Sequence, residues 1–209
     1  MGSVLPESLT VMLEILLASL SYLGLITYNC DVDSFLIDQL MVGDLRTIGG
    51  SDAVVGVALE RPELIQDLMA ALTSESPGLR LRSADVLEKI SVDHADLLQH
   101  YKYHLIEIGQ KSQQKEVQWH IGFILPRLIL SECDADAVEA LLISYLGSRT
   151  SKIVRVSAVE GLAQLAIAFP DRYDRCLDKI VKAMEHGAPS VVARGKRMIK
   201  LLAKSSSGV

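Results

Sequence analysis

Four side chains between residues 96 and 107 are of the types that hold transition metals. They follow one another at spacings of four, four and three residues and are Asp96, His100, His104 and Glu107. On a helix these spacings define one face, and two histidines one turn apart beside carboxylates could hold Zn²⁺ or Fe. That face lies opposite an apolar stripe, and neither HExxH nor a His-Glu pair occurs in the sequence. We therefore interpret it as a solvated outer face and predict no metal site and no cofactor.

Basic residues gather at two places in the C-terminal half. One group has a spacing of three residues and consists of Arg149, Lys152 and Arg155. The other consists of Arg194, Lys196, Arg197, Lys200 and Lys204. Such a surface could bind phosphates through counterion release, but it has almost no aromatic residues for base stacking. A terminal repeat also needs a soluble outer face. Nucleic-acid or phosphate binding is therefore an alternative and not the first expectation.

No catalytic or nucleotide-binding motif stands out. Gly49-Gly50-Ser51 is neither GxGxxG nor a P-loop, and no GxSxG or Cys/His nucleophile arrangement occurs. Trp119 beside His120 is interpreted as a packing residue or an interface anchor. The three cysteines, Cys30, Cys133 and Cys176, contain no CxxC pair. We interpret them as free core thiols in a reducing compartment and expect a cytoplasmic protein.

The segment from Thr10 to Tyr28 is nearly all apolar, and its one charge is Glu14. Its length is close to the about 20 residues that span a bilayer. No basic residue precedes Arg46, so neither a signal peptide nor a positive-inside anchor fits. We expect residues 8–28 to form a buried cap, or a homo-oligomer contact with a second copy, in preference to a membrane contact.

The composition favours an aliphatic core built from helices. The 209 residues are 49% hydrophobic but only 5% aromatic, with 14 glycines and 6 prolines, which excludes a disordered or disulfide-framework protein. Few turn-forming residues argue against a β-sandwich or barrel. The net charge of −5 is unevenly distributed. Residues 1–78 carry two basic against eleven acidic side chains, and residues 172–204 carry nine against three.

Four segments repeat with a period of 37 or 38 residues. Each has apolar residues at its first position and 8 and 11 residues later, which form one stripe on a helix. The stripes are Leu79/Leu87/Ile90, Val117/Leu125/Leu128, Val154/Leu162/Leu165 and Val191/Ile199/Leu202. Small residues between them, such as Gly122, Ser157 and Gly195, predict a close approach of helices.

A second set of apolar stripes predicts a partner helix for each repeat. These stripes are Leu64/Leu68/Leu72, Leu97/Tyr101/Leu105/Ile108, Val138/Leu141/Leu142/Tyr145 and Tyr173/Leu177/Ile180/Met184. No stretch alternates with period two, so we predict no strands.

Proline, glycine and capping residues predict where the helices begin and end. The prolines at helix starts are Pro62, Pro77, Pro170 and Pro189. Asp134 is a predicted N-cap, and Gly147 and Gly187 are predicted helix ends. Pro126 falls inside a helical pattern, and we predict a kinked but continuous helix over 115–130.

These helix pairs resemble HEAT repeats. The second helices read Leu79-Arg80-x-x-Ser83-Ala84-x-x-Leu87 and Val154-Arg155-x-x-Ala158-x-x-x-Leu162, and the resemblance covers about residues 44–203. Gln118 and Val192 stand where the family usually has arginine, and the family's Asp-Pro turn is absent. The resemblance implies an all-α, α-α superhelix, a solenoid of antiparallel helix pairs. We expect one domain over 1–209, with atypical capping helices in 1–43 and four to five helix pairs in 44–204.

The resemblance also implies a scaffold or adaptor in preference to an enzyme. The expected partner is an acidic or helical segment of another protein, held on a concave face by the second helix of each pair. The residues expected to line this face are Arg80, Gln118, Trp119, Lys152, Arg155, Arg194 and Arg197, although family arginines can instead brace neighbouring repeats. The alternatives are nucleic-acid binding through the basic C-terminal repeats, and a lyase-type enzyme or accessory subunit.

Overall fold

The computed structural model describes residues 34–42, 49–147 and 151–206. These residues belong to one compact unit that covers 32–209. The predictions for residues 8–28, Cys30 and Arg149 lie outside the described residues. Among the described helices, none combines the length and apolarity needed to cross a membrane.

The described residues form ten α-helices and no strand, which confirms the all-α prediction for this part of the chain. In chain order they are α1 (Ser34–Leu40), α2 (Ser51–Glu60), α3 (Leu64–Ala71), α4 (Pro77–Asp93), α5 (Lys102–Lys111), α6 (Lys115–Ile124), α7 (Glu132–Leu146), α8 (Lys152–Ala168), α9 (Tyr173–Glu185) and α10 (Pro189–Ser206). Three 3₁₀ helices separate some of them, at Ala95–Tyr101, Leu125–Arg127 and Pro170–Arg172. Pro77 and Pro189 open their helices and Gly147 is the C-cap of α7, as predicted.

The even-numbered helices pack against one another in chain order. Helix α4 contacts α2 and α6, and α8 contacts α6 and α10. The other helices pack against this series, α3 on α4, α5 on α6, and α7 and α9 on α8. The period of 37 or 38 residues in the sequence is therefore the chain length from one even-numbered helix to the next, from α4 to α10.

The repeat positions form the hydrophobic core. Eleven of the twelve stripe residues of the four repeats are buried, and the twelfth, Ile199, is half-buried. Burying one such aliphatic side chain contributes about 1.5–3 kcal/mol to stability. Because the same offsets are buried in each repeat, the stripe prediction is confirmed.

Helices α6 and α8 touch through glycine. A Cβ atom on Gly161 would lie 2.9 Å from the carbonyl oxygen of Gly122 and 2.9 Å from Cδ1 of Leu142. A Cβ on Gly122 would lie 2.6 Å from Oγ of Ser157. The predicted close approach at Gly122 and Ser157 is thus confirmed, and Gly161 is the contact residue that the sequence alone did not reveal.

Two helices end or bend where the sequence pattern predicted continuity. Helix α6 stops at Ile124, a 3₁₀ turn follows, and Leu128 is already extended, with φ −79° and ψ 159°. The prediction of a continuous helix over 115–130 is therefore wrong beyond Arg127. Pro126 cannot donate a hydrogen bond to the carbonyl four residues back, and its ring crowds that carbonyl.

The helix predicted around residue 100 is also divided. Residues 95–101 are 3₁₀ and only 102–111 are α-helical. With three residues per turn, a 3₁₀ helix moves each side chain off the α-helical stripe. The stripe predicted that Leu97 would be the core residue here. Leu98 is instead fully buried, and Leu97 is half-buried.

The start of α7 differs from the prediction as well. The N-cap is Ser131, and the predicted cap, Asp134, is the third residue of the helix. The two residues form a capping box: the N–H of Asp134 donates to Ser131 Oγ, and the N–H of Ser131 donates to the Asp134 carboxylate. Lys102 Nζ lies 2.6 Å from Asp134 Oδ2, and both side chains are nearly buried. The pair therefore ties α7 to the start of α5.

The Lys102–Asp134 pair makes stability depend on pH. Burial alone raises the pKa of Asp134, but hydrogen bonds from Lys102 and Ser131 outweigh it and hold the pKa below 3.8. A carboxylate with a lowered folded-state pKa stabilises the fold above its unfolded pKa, and that contribution disappears as the pH falls through the folded value. We expect Asp134→Asn to cost about 2 kcal/mol at neutral pH and to reduce the loss of stability below about pH 4.

Urea unfolding of wild type and Asp134→Asn at neutral and acidic pH tests this prediction. Glu107→Gln is the control: Lys111 lowers the pKa of Glu107 as well, but the pair is exposed to solvent, so its removal should change the pH profile much less. Identical pH profiles for wild type and Asp134→Asn would contradict it.

The two described cysteines differ in environment. Cys176 is buried, as predicted, and burial raises the pKa of its thiol to about 11, so it is protonated at neutral pH. Cys133 is exposed, and its interpretation as a core thiol is wrong. It sits in the first turn of α7 at a position that faces solvent.

Candidate functional site

Three of the seven predicted partner-binding residues bind backbone carbonyls instead of lying free on a surface. All three occupy the second position of their repeats, and each donates to the chain that ends the preceding helix. The bonds join Arg80 to Ser74 and Glu75 (2.5 and 3.1 Å), Gln118 to Ser112 (2.8 Å) and Arg155 to Leu146 (2.9 Å). These side chains therefore brace consecutive helices, the role that the resemblance offered as the alternative.

A fourth predicted residue, Trp119, is half-buried and packs against the core. Its ring centroid lies 4.8 Å from that of His120, which is buried and faces Glu88 across the α4–α6 contact, with 2.5 Å between Nδ1 and Oε2. Arg127 donates to the carbonyl of Glu88 at 3.2 Å and to Ser91 Oγ at 2.8 Å. The sequence alone did not reveal this network, because Glu88 and His120 lie far apart along the chain.

The four metal-ligand candidates do not share one helical face. Asp96 and His100 lie in the 3₁₀ segment, whereas His104 and Glu107 lie in α5. Glu107 is also engaged by Lys111 at 2.5 Å. Over 34–42, 49–147 and 151–206 the structure contains no group of three or more His, Cys, Asp or Glu side chains that could hold a metal ion.

The remaining three predicted residues come together in one groove of about 500 Å³ between α8 and α10. We call it the α8–α10 groove. The first turns of α8 form one wall of the groove, and the side of α10 that faces them forms the other wall. The lining residues are Lys152, Ile153 and Val156 from α8, and Ser190, Ala193, Arg194 and Arg197 from α10.

Local sequence explains how these side chains are placed. Ser151 caps α8 with a hydrogen bond from Val154 N–H, and Pro189 opens α10. Val154 and Val191 are fully buried and fix the two helices against the core. Lys152 lies two residues before Val154, and Arg197 lies next to Met198, which is buried one heptad after Val191. Both charged side chains therefore face away from the core and are exposed at the groove.

The electrostatics of the groove favour an anion. Lys152, Arg194 and Arg197 are cationic, and no carboxylate is among the lining residues. Arg194 also forms an ion pair with Glu160 of α8, which does not line the groove. Burial, and then the neighbouring Arg197, lower the pKa of Arg194, because a second cation nearby disfavours its charge. A bound anion would relieve this repulsion.

Apolar surface lies beside the charges. Ile153 is 39% exposed at the groove, and Val156 and Ala193 line it as well. Ile153 therefore presents apolar surface directly beside three cationic side chains. The groove can therefore take a ligand that combines negative charge with an apolar side chain.

A second groove of about 490 Å³ lies near the end of α5 and is a weaker candidate. Its lining includes Arg80, Lys111 and Glu107. Arg80 is engaged by backbone carbonyls and Lys111 by Glu107, so the cations there already have partners. The α8–α10 groove is thus the better candidate for an anion.

Comparison with known proteins gives a fold and no family. No protein-family model matches the sequence, and no curated protein matches it. A solved structure, the crystal structure of an engineered protein, is similar with a TM-score of 0.53 and 17% sequence identity, over 81% of this chain and 78% of that one. A likeness at this identity concerns the helical fold alone.

Proposed function

We propose that the protein is a non-catalytic binding module, a solenoid of HEAT-like helix pairs whose even-numbered helices line a concave face. Three observations support the solenoid. The even-numbered helices contact one another in chain order, the repeat positions are buried alike, and Arg80, Gln118 and Arg155 brace successive helices in the same way. In such an architecture each repeat contacts its neighbours and leaves one face for a partner.

The proposed ligand is an acidic segment of a partner protein, and the α8–α10 groove carries this proposal. It joins Lys152, Arg194 and Arg197 to the apolar side chains of Ile153 and Val156. Carboxylates of the segment would pair with the cations, while a leucine or similar side chain would cover Ile153. Charge complementarity would mainly raise the association rate and the specificity, and apolar burial would supply affinity.

A charge reversal in the groove tests the proposal. We expect Arg197→Glu to weaken binding of a short labelled peptide that combines leucine with glutamate by about tenfold, since one attractive pair becomes a repulsive one. Lys200→Glu is the matched control, because it makes the same charge change at an exposed residue one turn further along α10 that does not line the groove. Fluorescence anisotropy at physiological salt measures both.

A native-lysate capture extends this test to real partners. Proteins retained by wild type and by Lys200→Glu but lost with Arg197→Glu are groove ligands, and the segment they use should be acidic. Equal binding by both variants, with the peptide and with every captured protein, would contradict the proposal.

Nucleic-acid binding is the second candidate, supported by one observation. Helix α10 carries five basic residues and no acidic one, and three of them, Lys196, Lys200 and Lys204, are exposed outside the groove. Affinity for duplex DNA would then fall steeply with added salt and would be weakened by Lys200→Glu as much as by Arg197→Glu. That pattern separates it from the peptide-binding proposal, in which Lys200 has no part.

A further inference from the structure

The charge balance of the α8–α10 groove points to a more specific ligand. Resting on the proposed function, we infer that the partner segment is phosphorylated, and that the groove holds a phosphoserine or phosphothreonine side chain between Lys152, Arg194 and Arg197.

The first step is the net charge of the site. Three cationic side chains line the groove, and among the described residues the single carboxylate that pairs with one of them is Glu160, the partner of Arg194. Within the part of the chain that the structure describes, the site therefore carries two uncompensated positive charges. A phosphate monoester carries about −1.5 to −2 at neutral pH, whereas one aspartate or glutamate carries a single charge. One phosphate neutralises the site, while two carboxylates from different residues would have to converge on it.

The second step is the donor geometry. Arg194 and Arg197 are three residues apart on α10 and so lie on adjacent turns of the same face. Guanidinium groups present planar forks of N–H donors that match phosphate oxygens in pairs. The ion pair with Glu160 holds Arg194 in place before any ligand binds. Less side-chain entropy is lost on binding as a result.

The third step is the shape and the remaining lining. Lys152 faces the arginines from α8 as a compact point charge, and the Ser190 hydroxyl adds a neutral donor. A groove of about 500 Å³ has room for more than one side chain, which leaves the exposed Ile153 for an apolar neighbour of the phosphorylated residue.

The same lining disfavours nucleic acid in the groove. Its seven residues include no aromatic side chain on which a base could stack, and its apolar members are aliphatic. Phosphate together with an aliphatic neighbour is the chemistry of a phosphorylated peptide.

Four labelled peptides that differ only at the central position test the inference. That position holds serine, phosphoserine, aspartate or glutamate, and leucine follows it in all four. We expect the phosphoserine peptide to bind at least about tenfold more tightly than the serine peptide and about fivefold more tightly than either acidic peptide. Arg197→Glu and Lys152→Glu should abolish the preference for phosphoserine, and Arg197→Lys should reduce it because the planar fork is lost. Lys200→Glu should retain it.

The outcomes distinguish failure of the phosphate inference from failure of the acidic-segment proposal. Equal binding of the phosphoserine, aspartate and glutamate peptides would overturn the phosphate inference and leave the acidic-segment proposal standing. No binding of any peptide would overturn both. Displacement of the phosphopeptide by single-stranded or duplex DNA would also overturn the inference if Arg197→Glu weakens DNA binding as well. The groove would then bind the phosphates of a nucleic-acid backbone.

Discussion

Replacing Arg172 with methionine is expected to lower the free energy of unfolding by about 3 kcal/mol. Arg172 is only 2% exposed, and its guanidinium pairs with Glu132, Asp136 and Glu139 of α7 at 2.7, 2.6 and 3.0 Å. Glu132 and Asp136 are largely exposed and can return to water when the cation is removed. Glu139 is nearly buried and cannot, so its charge is left poorly compensated.

Arg175 limits the expected loss of stability in Arg172→Met, and the substitution of Arg175 provides the control. Its Nε lies 2.8 Å from Glu139 Oε1, so Glu139 retains one cationic partner in Arg172→Met. We place the expected loss at the lower end of the range for breaking a buried pair for this reason. Arg175 is itself half-exposed, and Arg175→Met should destabilise the protein clearly less than Arg172→Met.

Urea denaturation followed by circular dichroism distinguishes the two arginine variants. The midpoint should fall clearly for Arg172→Met and little for Arg175→Met, with similar slopes for both. Equal midpoints would show that the three carboxylates contribute no more than exposed pairs do.

The second large effect concerns the α6–α8 contact. Gly161→Ala is expected to destabilise the protein by about 2 kcal/mol, because the added methyl group would lie within 2.9 Å of a backbone oxygen of α6. A backbone atom cannot move aside as a flexible side chain can. Helices α6 and α8 would have to separate, and the buried residues between them would lose contacts.

Gly56→Ala is the matched substitution with the opposite expected sign. Gly56 lies inside α2, and no atom is within 4 Å of the position that its Cβ would take. Alanine should therefore stabilise α2 by about 0.5–1 kcal/mol through its higher helix propensity. Thermal unfolding of the two variants measures the difference, and a stabilising Gly161→Ala would show that the two helices are not in tight contact.

Much of the architecture could be predicted from the sequence, because it depends on local periodicity. The apolar stripes at offsets 0, 8 and 11 gave the buried faces of α4, α6, α8 and α10, since a side chain's direction on a helix follows from its position alone. Pro77, Pro189 and Gly147 marked helix ends through backbone chemistry that needs no neighbours.

The sequence was less reliable where two backbone geometries compete. The stripe around residue 100 fits an α-helix, yet residues 95–101 are 3₁₀ and Leu98 is buried in place of Leu97. Helix α6 likewise ends at Ile124 although its apolar pattern continues. In both places the chain changes its rise per residue, and an apolar pattern does not record that change.

The sequence by itself determined that the described chain is helical and repetitive and that its basic charge lies toward the end. Tertiary structure decided what the individual basic residues do. Arg80 and Arg155 donate hydrogen bonds to backbone carbonyls at the ends of the preceding helices. Arg172 pairs with three carboxylates of α7. The groove between α8 and α10 is lined by Lys152, Arg194 and Arg197. The physical reason is that these partners belong to other helices, 5 to 9 residues away for Arg80 and Arg155 and 33 to 40 residues away for Arg172. Helix periodicity carries no information about which helices meet.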